Sequence, residues 1–448
     1  MFNLEEFLLM REKRVEIQNS IIEKEKKPIL VLRGNYPGEN KNDFIPTNIV
    51  KVIYKEILDI FNDSIVHTKI INSIEGITYI FSINDNGTNI KKIAMEIEEN
   101  HILGRYVDID VFSETGYAFS RSDFGGNKRK CFLCDEMAFV CGRKQSHSIL
   151  EITNHIQKKY ENYLIENEER FKISDFLSDV ALKSLILEVS ASPSFGLVSP
   201  FTKGAHTDMD FFTFIDSSFS INHYFKEVAK AGFSSLSLDL IFKKIRFLGK
   251  LAEKEMFLAT NNINTHKGMI FLMGISIATT AKVKFENKSF SEIKNNIKFM
   301  CRDILKDFVN LETKSNLTHG EKLFLNHGIS GVRGIVKDGL DIIFNGSLDV
   351  FSNALIIEKD INCAMIKTLI FLMSSLEDTT ILHRHNISIL NEVKKKAQDL
   401  HCIFSNCCID KNILKDLENE YTNNKISPGG SADLLAITLF FNYSKKIF

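Results

Sequence analysis

The segment HILGRYVDIDVF sets Asp108 and Asp110 between Val107, Ile109 and Val111. Residues two apart in a strand project from one face, so this alternation predicts a strand that presents both carboxylates together. Paired carboxylates are hard oxygen ligands that can hold Mg2+ against a phosphate, the chemistry of nucleotidyl transfer. The plain alternative is an edge strand with a solvated acidic face; Asp is disfavoured in strands, and two in one strand weigh toward function. Shortly afterwards Cys131, Cys134, Cys141 and His147 follow the spacing C-x2-C-x6-C-x5-H. Three thiolates and an imidazole make a closed zinc site, though the spacing matches no common finger; the alternative is reduced cysteines packed in an α/β core. Lys128, Arg129, Lys130, Arg143 and Lys144 surround them as a basic patch open to phosphates or an acidic partner.

The second half gathers its ionisable residues at breaks between apolar helices. EVSASPSFGLVSPFTKGAHTDMD, Glu188 to Asp210, interrupts a helical pattern with Pro and Gly and ends on Lys203, His206, Asp208 and Asp210. If that end were helical, the two aspartates would face apart, and Asp208, beside His206, is the one expected to serve a metal. Asn264, Thr265, His266 and Lys267 precede another apolar run, where Thr265 is expected to cap a helix whose start attracts phosphate. HGISGVRGIVKDGL places Arg333 and Lys337 among four glycines, and LEDTTILHRHN carries Asp378, Thr379, His383 and Arg384. ISPGGSADLLAITLFF carries Ser427, Gly429, Gly430, Ser431 and Asp433; Ser431 or Asp433 is expected to cap the last helix and ligate a cation. Any one of these breaks reads as an ordinary loop or cap, whereas five together point to one polyanion site at converging helix ends.

The elements that must position these groups divide into two kinds. Residues 3–25 read as a helix, Ile29 to Leu32 as a strand entering a Gly/Pro turn with Arg33, Asn35 and Lys41, and 47–62 and 88–99 as helices. Strands are expected at 65–71, 77–83 and through Asp108 and Asp110. The turn after Leu32 lacks the spacing of a phosphate-binding Walker loop and by itself reads as plain surface. The fold expected is an N-terminal α/β domain at 1–165, a mixed sheet with helices of nucleotidyltransferase type, followed by an all-α domain at 172–448, with the boundary inside a charged helical stretch at 158–174.

At 448 residues the chain is long for one core. Its 56 Lys and Arg balance 57 Asp and Glu, which argues against a nucleic-acid partner. The N-terminus lacks the basic start and apolar core of a signal peptide, and runs such as GMIFLMGISIATTA read as short of a membrane span, so no membrane partner is expected. Eight cysteines, among them Cys402, Cys407 and Cys408, are expected reduced, in a cytoplasmic enzyme.

Both halves resemble known families. Asn35 to Lys41 (N-Y-P-G-x2-K), Glu98 to Val111 (E-E-N-H-I-L-G-R-Y-V-D-I-D-V) and Arg129 to His147 resemble apo-citrate lyase phosphoribosyl-dephospho-CoA transferase over residues 1 to about 165. E-V-x3-P-x2-G-L-V from Glu188, G-A-H-x-D-M-D-F-F from Gly204, N-T-H-K-G from Asn264, G-V-R-G from Gly331, D-T-x-I-L-x-R from Asp378 and S-P-G-G-S-A-D-L-L-A from Ser427 resemble the all-helical triphosphoribosyl-dephospho-CoA synthases. Ser194-Phe195 departs from the Lys-Pro usual in that family. The resemblance implies that the C-terminal half joins ATP to 3'-dephospho-CoA with loss of adenine. It implies that the N-terminal half moves the product onto a serine of the acyl carrier subunit of apo-citrate lyase, releasing pyrophosphate. On that basis Glu188 or Asp208 would supply the carboxylate and metal roles, and His266, Lys267, Arg333 and Arg384 would meet the triphosphate. Asp108 and Asp110 would hold Mg2+ and Arg105 would neutralise the leaving group. Asn35, Lys41, Lys203, His206, Thr265, Asp378, Ser427, Gly429, Gly430, Ser431 and Asp433 would contact substrate. A reading of a different class is a non-catalytic nucleotide-binding regulator, or a zinc scaffold of the lyase assembly.

Overall fold

The computed structural model describes residues 4–39, 41–308, 317, 319–404, 409 and 411–448; Cys407 and Cys408 lie outside the described residues. The chain divides into two compact units, Met1–Arg170 with Ser235–Leu240, and Phe171–Ser234 with Ile241–Phe448.

The first unit contains α1 (Leu4–Glu25), β1 (Ile29–Gly34), α2 (Phe44–Phe61), β2 (Ile65–Ser73), β3 (Gly76–Ile83), α3 (Gly87–Asn100), β4 (Val107–Phe112), α4 (Ala138–Lys144) and the start of α5 (Ile149–Val189). The strands form one sheet in the order β2-β3-β1-β4. The sheet expected as mixed is antiparallel at every pairing. The reason is topological. β2 and β3 form a hairpin, and α3 then carries the chain past β1, so β4 runs in the direction of β3 but bonds to β1.

The register sorts the two faces. Leu30 and Leu32 lie opposite Phe81 and Tyr79 on one side and Val111 and Ile109 on the other. Tyr54 of α2 stacks on Tyr79 and Phe81, so this face is the one α2 covers. Ile29 and Val31 point the other way and pack with Ile80 against Ile21 and Ile22 of α1. Arg33, two residues on, shares that second face and lies opposite Asp108. The side chains of Arg33 on β1 and of Asp108 and Asp110 on the edge strand β4 stay partly exposed.

α5 is a single 41-residue helix. The charged helical stretch expected around 158–174 continues without a break into the run DFLSDVALKSLILEV, because no Gly or Pro falls between 149 and 189. The second unit continues through α6 (Phe211–Ser220), α7 (Asn222–Gly232), α8 (Leu238–Ala259), α9 (Lys267–Phe285), α10 (Glu292–Met300), α11 (His319–His327), α12 (Gly331–Lys337), α13 (Leu348–Glu358), α14 (Ile361–Ser375), α15 (Thr379–Arg384), α16 (Ile387–Phe404), α17 (Lys411–Asn423) and α18 (Gly429–Ser444). α9, α14 and α18 are apolar on nearly every side, and α18 packs on both α9 and α14, as helices enclosed by others must. α9 is long and apolar enough, by length and composition, to cross a membrane, which corrects the expectation that such runs fall short; 78% of its apolar stretch is buried within the unit.

Candidate functional site

β4 carries Asp108 and Asp110 on one face, with Val107, Ile109 and Val111 buried on the other. Both carboxylates meet guanidinium groups. Arg33 Nη2 donates to Asp110 Oδ2 at 2.7 Å and lies 4.0 Å from Asp108 Oδ2. Arg129 Nη1 donates to Asp108 Oδ1 at 2.6 Å, and its Nη2 donates to Glu98. Glu98, 3% exposed, also accepts from Arg121 and from the Ile109 amide, which ties the end of α3 to β4. Asp108 is therefore one end of a charge-assisted chain through Arg129 to a buried acid, a stiff arrangement for an acid that must keep its place. Beneath it Lys91, 6% exposed, donates to the Ile109 carbonyl at 3.3 Å; burial pulls its pKa down, against Glu98 and Asp110.

A cleft of about 570 Å³ opens beside this network, lined by Asn35, Arg105, Arg129, Lys130 and Phe132, with Cys131, Cys141 and His147 on one wall. Arg105 Nη2 donates to the Lys130 carbonyl at 2.6 Å, and its guanidinium lies 5.8 Å from the Phe132 ring centroid. Asn35 Nδ2 donates to the Arg105 carbonyl at 3.3 Å. Three cations on one cleft suit a run of phosphates. Lys41 is held differently, its Nζ 5.3 Å from the Phe7 ring centroid, with burial lowering its pKa against Glu75. The part played by Arg33 and Glu98 as partners had no local signal, because it depends on the β1–β4 register and on how α3 lies along β4.

In the second unit, Asp378 caps α15 through the amides of Thr380 and Ile381. The same carboxylate accepts from the Gly430 amide at 3.2 Å, the Ser431 amide at 2.9 Å and Ser431 Oγ at 3.0 Å, joining the starts of α15 and α18. Burial pushes Asp378 up against these donors. Asp433 lies one turn into α18; burial first, then the charges of Glu188 and Asp378, push its carboxyl well above the usual range. Burial pushes Glu188 up to about 8. The start of α9 reaches the same place, since a Cβ on Gly268 would stand 2.9 Å from Asp433 Oδ2. The start of α12 packs beside it, a Cβ on Gly331 lying 3.2 Å from Thr379.

His206 links the last residue of α15 to the segment just before α18. Its Nδ1 lies 3.1 Å from Arg384 Nη2 and its Nε2 3.1 Å from Ser427 Oγ. A guanidinium only donates, so Nδ1 accepts and Nε2–H donates to Ser427, which fixes a neutral ring. Burial and Arg384 together push its pKa down to about 4, against Asp208. The loop bearing His206 is pinned. Gly196 has φ of +78° and a Cβ there would meet the Ile426 carbonyl at 2.1 Å, while the Ala205 amide donates to the Gly196 carbonyl at 2.8 Å. Ser194, standing where the resembled family has Lys, is buried, its amide and hydroxyl on Glu418.

Other expected positions are engaged elsewhere. Residues 205–210 are not helical; Asp210 caps α6 and lies 3.7 Å from Lys203, while Asp208 is exposed. Thr265 does not cap α9, whose first residue follows His266; its hydroxyl lies 2.6 Å from Ser217 Oγ instead. Ser431 and Asp433 do not cap α18, because that helix already begins at Gly429 and both fall inside it. Lys267 pairs with Glu253 at 3.0 Å and Arg333 with Asp307 at 3.4 Å.

His266 is 3% exposed, with Nδ1 2.6 Å from Ser217 Oγ and Phe214 edge-on to its ring. Burial pushes its pKa from 6.5 down to about 4. The unfolded chain thus takes up this proton near pH 6.5 and the folded one only near 4, so stability is lost as pH falls through that window. At about 1.4 kcal/mol per tenfold difference in proton affinity the loss is on the order of 3 kcal/mol. Urea unfolding at pH 7 and pH 5 should show a lower midpoint at pH 5, and His266→Gln should shrink that difference; an undiminished difference in the variant would refute the assignment.

Comparison with known proteins gives a match in each half. Residues 174–447 match the family model described as ATP:dephospho-CoA triphosphoribosyl transferase, and residues 2–163 match apo-citrate lyase phosphoribosyl-dephospho-CoA transferase. The chain is 30% identical to protein CitXG of Haemophilus influenzae, and 29% identical to protein CitXG of Leuconostoc mesenteroides subsp. cremoris. Each comparison covers 98% of this chain and 96% of the relative. It is 36% identical to a probable 2-(5''-triphosphoribosyl)-3'-dephosphocoenzyme-A synthase of Streptococcus mutans, across 60% of this chain and 97% of that protein.

Proposed function

We propose a two-step sequence for this chain, which belongs to the CitXG family of fused transferases of citrate lyase prosthetic-group synthesis. In the helical unit a ribose hydroxyl of 3'-dephospho-CoA attacks the anomeric carbon of the ATP ribose, the bond to adenine breaks, and triphosphoribosyl-dephospho-CoA forms. In the α/β unit a carrier serine attacks the phosphate nearest the added ribose, and pyrophosphate leaves. The partner is the acyl carrier subunit of apo-citrate lyase, and the reading places the reactions in the cytoplasm.

The observation that carries the reading is the meeting of motif segments distant in sequence: Asp433 lies against the start of α9 and Asp378 is bonded to the start of α18, with the charge of Glu188, near the end of α5, acting on Asp433. Helix starts attract phosphate, and carboxylates nearby suit the positive charge that develops at an anomeric carbon as its glycosidic bond breaks. Of Glu188 and Asp433, whose shared burial favours the protonated form, one is assigned as the ionised partner of that charge and the other as the proton donor to the departing adenine, with Arg384, Lys267 and Arg333 toward the triphosphate. His206, neutral and donating to Ser427, orients the Ser427–Ser431 segment rather than carrying charge. In the α/β unit, Arg105 and Lys130 receive the pyrophosphate and Asn35 keeps Arg105 in place.

Carboxylate oxygens at Asp108 and Asp110, and at Glu188, Asp208 and Asp433, fit Mg2+ by donor chemistry. Magnesium bound there would neutralise phosphate charge. In the α/β unit it would share Asp108 and Asp110 with Arg33 and Arg129.

The test is direct. Incubated with ATP, 3'-dephospho-CoA and Mg2+, the protein should release free adenine. With apo acyl carrier added, the carrier serine should gain the phosphoribosyl-dephospho-CoA mass. Nucleotide binding without adenine release would overturn this reading in favour of a regulator.

A further inference from the structure

The cleft wall in the α/β unit contains a group of side chains that neither reaction uses. Cys131, Cys134, Cys141 and His147 offer ligand atoms that all lie within 4.8 Å of one another. Cys141 Sγ is 3.4 Å from Cys131 Sγ and 3.9 Å from Cys134 Sγ. Zinc bonded to sulfur at about 2.3 Å in a tetrahedron separates its sulfurs by roughly 3.8 Å. A disulfide needs about 2.05 Å, and three thiols facing one another with an imidazole do not make a pair.

The local backbone is built to bring the four together. The Cys131 amide donates to the Glu136 carbonyl at 2.8 Å and Lys130 bridges Met137, so 130–137 is a tight turn with Cys131 and Cys134 inside it. The Leu133 amide donates to Cys131 Sγ at 3.4 Å, the kind of outer hydrogen bond that orients a thiolate ligand. α4 then presents Cys141, and Gln145, at φ of +50°, turns the chain back so that His147 returns to the thiols. His147 Nε2 is buried with no hydrogen-bond partner in the structure. A buried ring nitrogen left without a partner is costly, and a metal would satisfy it. Three sulfurs and one nitrogen suit a borderline-soft ion and leave no open position, the pattern of a structural zinc site rather than a catalytic one.

We propose that Cys131, Cys134, Cys141 and His147 bind one Zn2+, and that this ion positions the two arginines of the carrier-modification cleft. Arg129, two residues before Cys131, reaches Asp108, and the Lys130 carbonyl holds Arg105 while Phe132 lies beside it. Freeing the segment would release both guanidinium groups. The positioning role rests on the transferase reading; the metal site does not.

The test uses the full chain, purified under reducing conditions and equilibrated with Zn2+, followed by removal of free metal. Metal analysis should find about one zinc per chain, and Co2+ in its place should give thiolate charge-transfer absorption. Cys134→Ser and His147→Ala should each lose zinc and lower carrier labelling by about 10–100-fold, with adenine release from the helical unit unchanged. Wild-type protein without zinc, or with a Cys131–Cys141 disulfide under these conditions, would overturn the site. Zinc loss in both variants with full carrier labelling would overturn the positioning role. Zinc bound as expected in a wild-type chain that never labels the carrier would leave the site standing and overturn the transferase reading.

Discussion

Asp108→Ala should lower carrier modification by about 10²–10³-fold, the range for losing one preorganised charge at a reacting phosphate, while adenine release from ATP continues at the wild-type rate. Asp108 is the point where the Arg129–Glu98 chain reaches the exposed face of β4. Its loss deletes an oxygen donor beside the cleft and leaves Arg129 with Glu98 and Arg33 with Asp110. The charge left unbalanced costs the α/β unit roughly 1–3 kcal/mol, too little to unfold a unit whose β1 and β3 are packed on both faces, by α2 and by α1. Asp108→Asn separates the contributions. It keeps the size and part of the hydrogen bonding but not the charge, so a loss equal to that of the alanine variant assigns the effect to the carboxylate. Carrier labelling should be measured with triphosphoribosyl-dephospho-CoA supplied, which removes any dependence on the helical unit. Loss of adenine release as well would refute two separate sites.

Asp433→Asn should do the reverse. Adenine release should fall by about 10²–10³-fold, and carrier labelling should return when triphosphoribosyl-dephospho-CoA is added. The same variant should be more stable than the wild type above neutral pH. Burial and the neighbouring Glu188 and Asp378 raise the Asp433 pKa in the folded state. A carboxyl raised in this way contributes stability that is fully present only below its unfolded pKa and is lost as pH rises from there through the folded pKa. A neutral amide has nothing to lose across that interval, so its advantage should grow as pH rises above the usual carboxylate range and vanish under acid. Higher stability with lower activity is the expected sign of a functional acid held in an unfavourable place. Wild-type adenine release from Asp433→Asn, measured by the free base, would remove Asp433 from the chemistry.

The two units differ in how much of each site was legible. The alternation through Val107, Asp108, Ile109, Asp110 and Val111 was enough to place both aspartates on one face, because strand period is a property of neighbouring residues. The helical second half and the polar residues at its breaks were legible for the same reason, through helix period and Pro/Gly punctuation. Cap assignments failed for two reasons: Thr265 is taken by a tertiary partner, Ser217, and α18 starts earlier than expected, at Gly429, which leaves Ser431 inside it. The spacing of Cys131, Cys134, Cys141 and His147 lies within one short segment, so the sequence carried that cluster almost whole.

The sequence by itself determined which elements form, which residues share a face within each, and the family to which both halves are similar. Only the tertiary structure decided partners: Arg129 for Asp108, Ser427 for His206 at a separation of 221 residues, and Asp378 bridging the starts of α15 and α18. Periodicity and propensity act over a few residues along the chain. Ion pairs and shared burial act through space, and packing alone sets which distant residues come within a few ångströms.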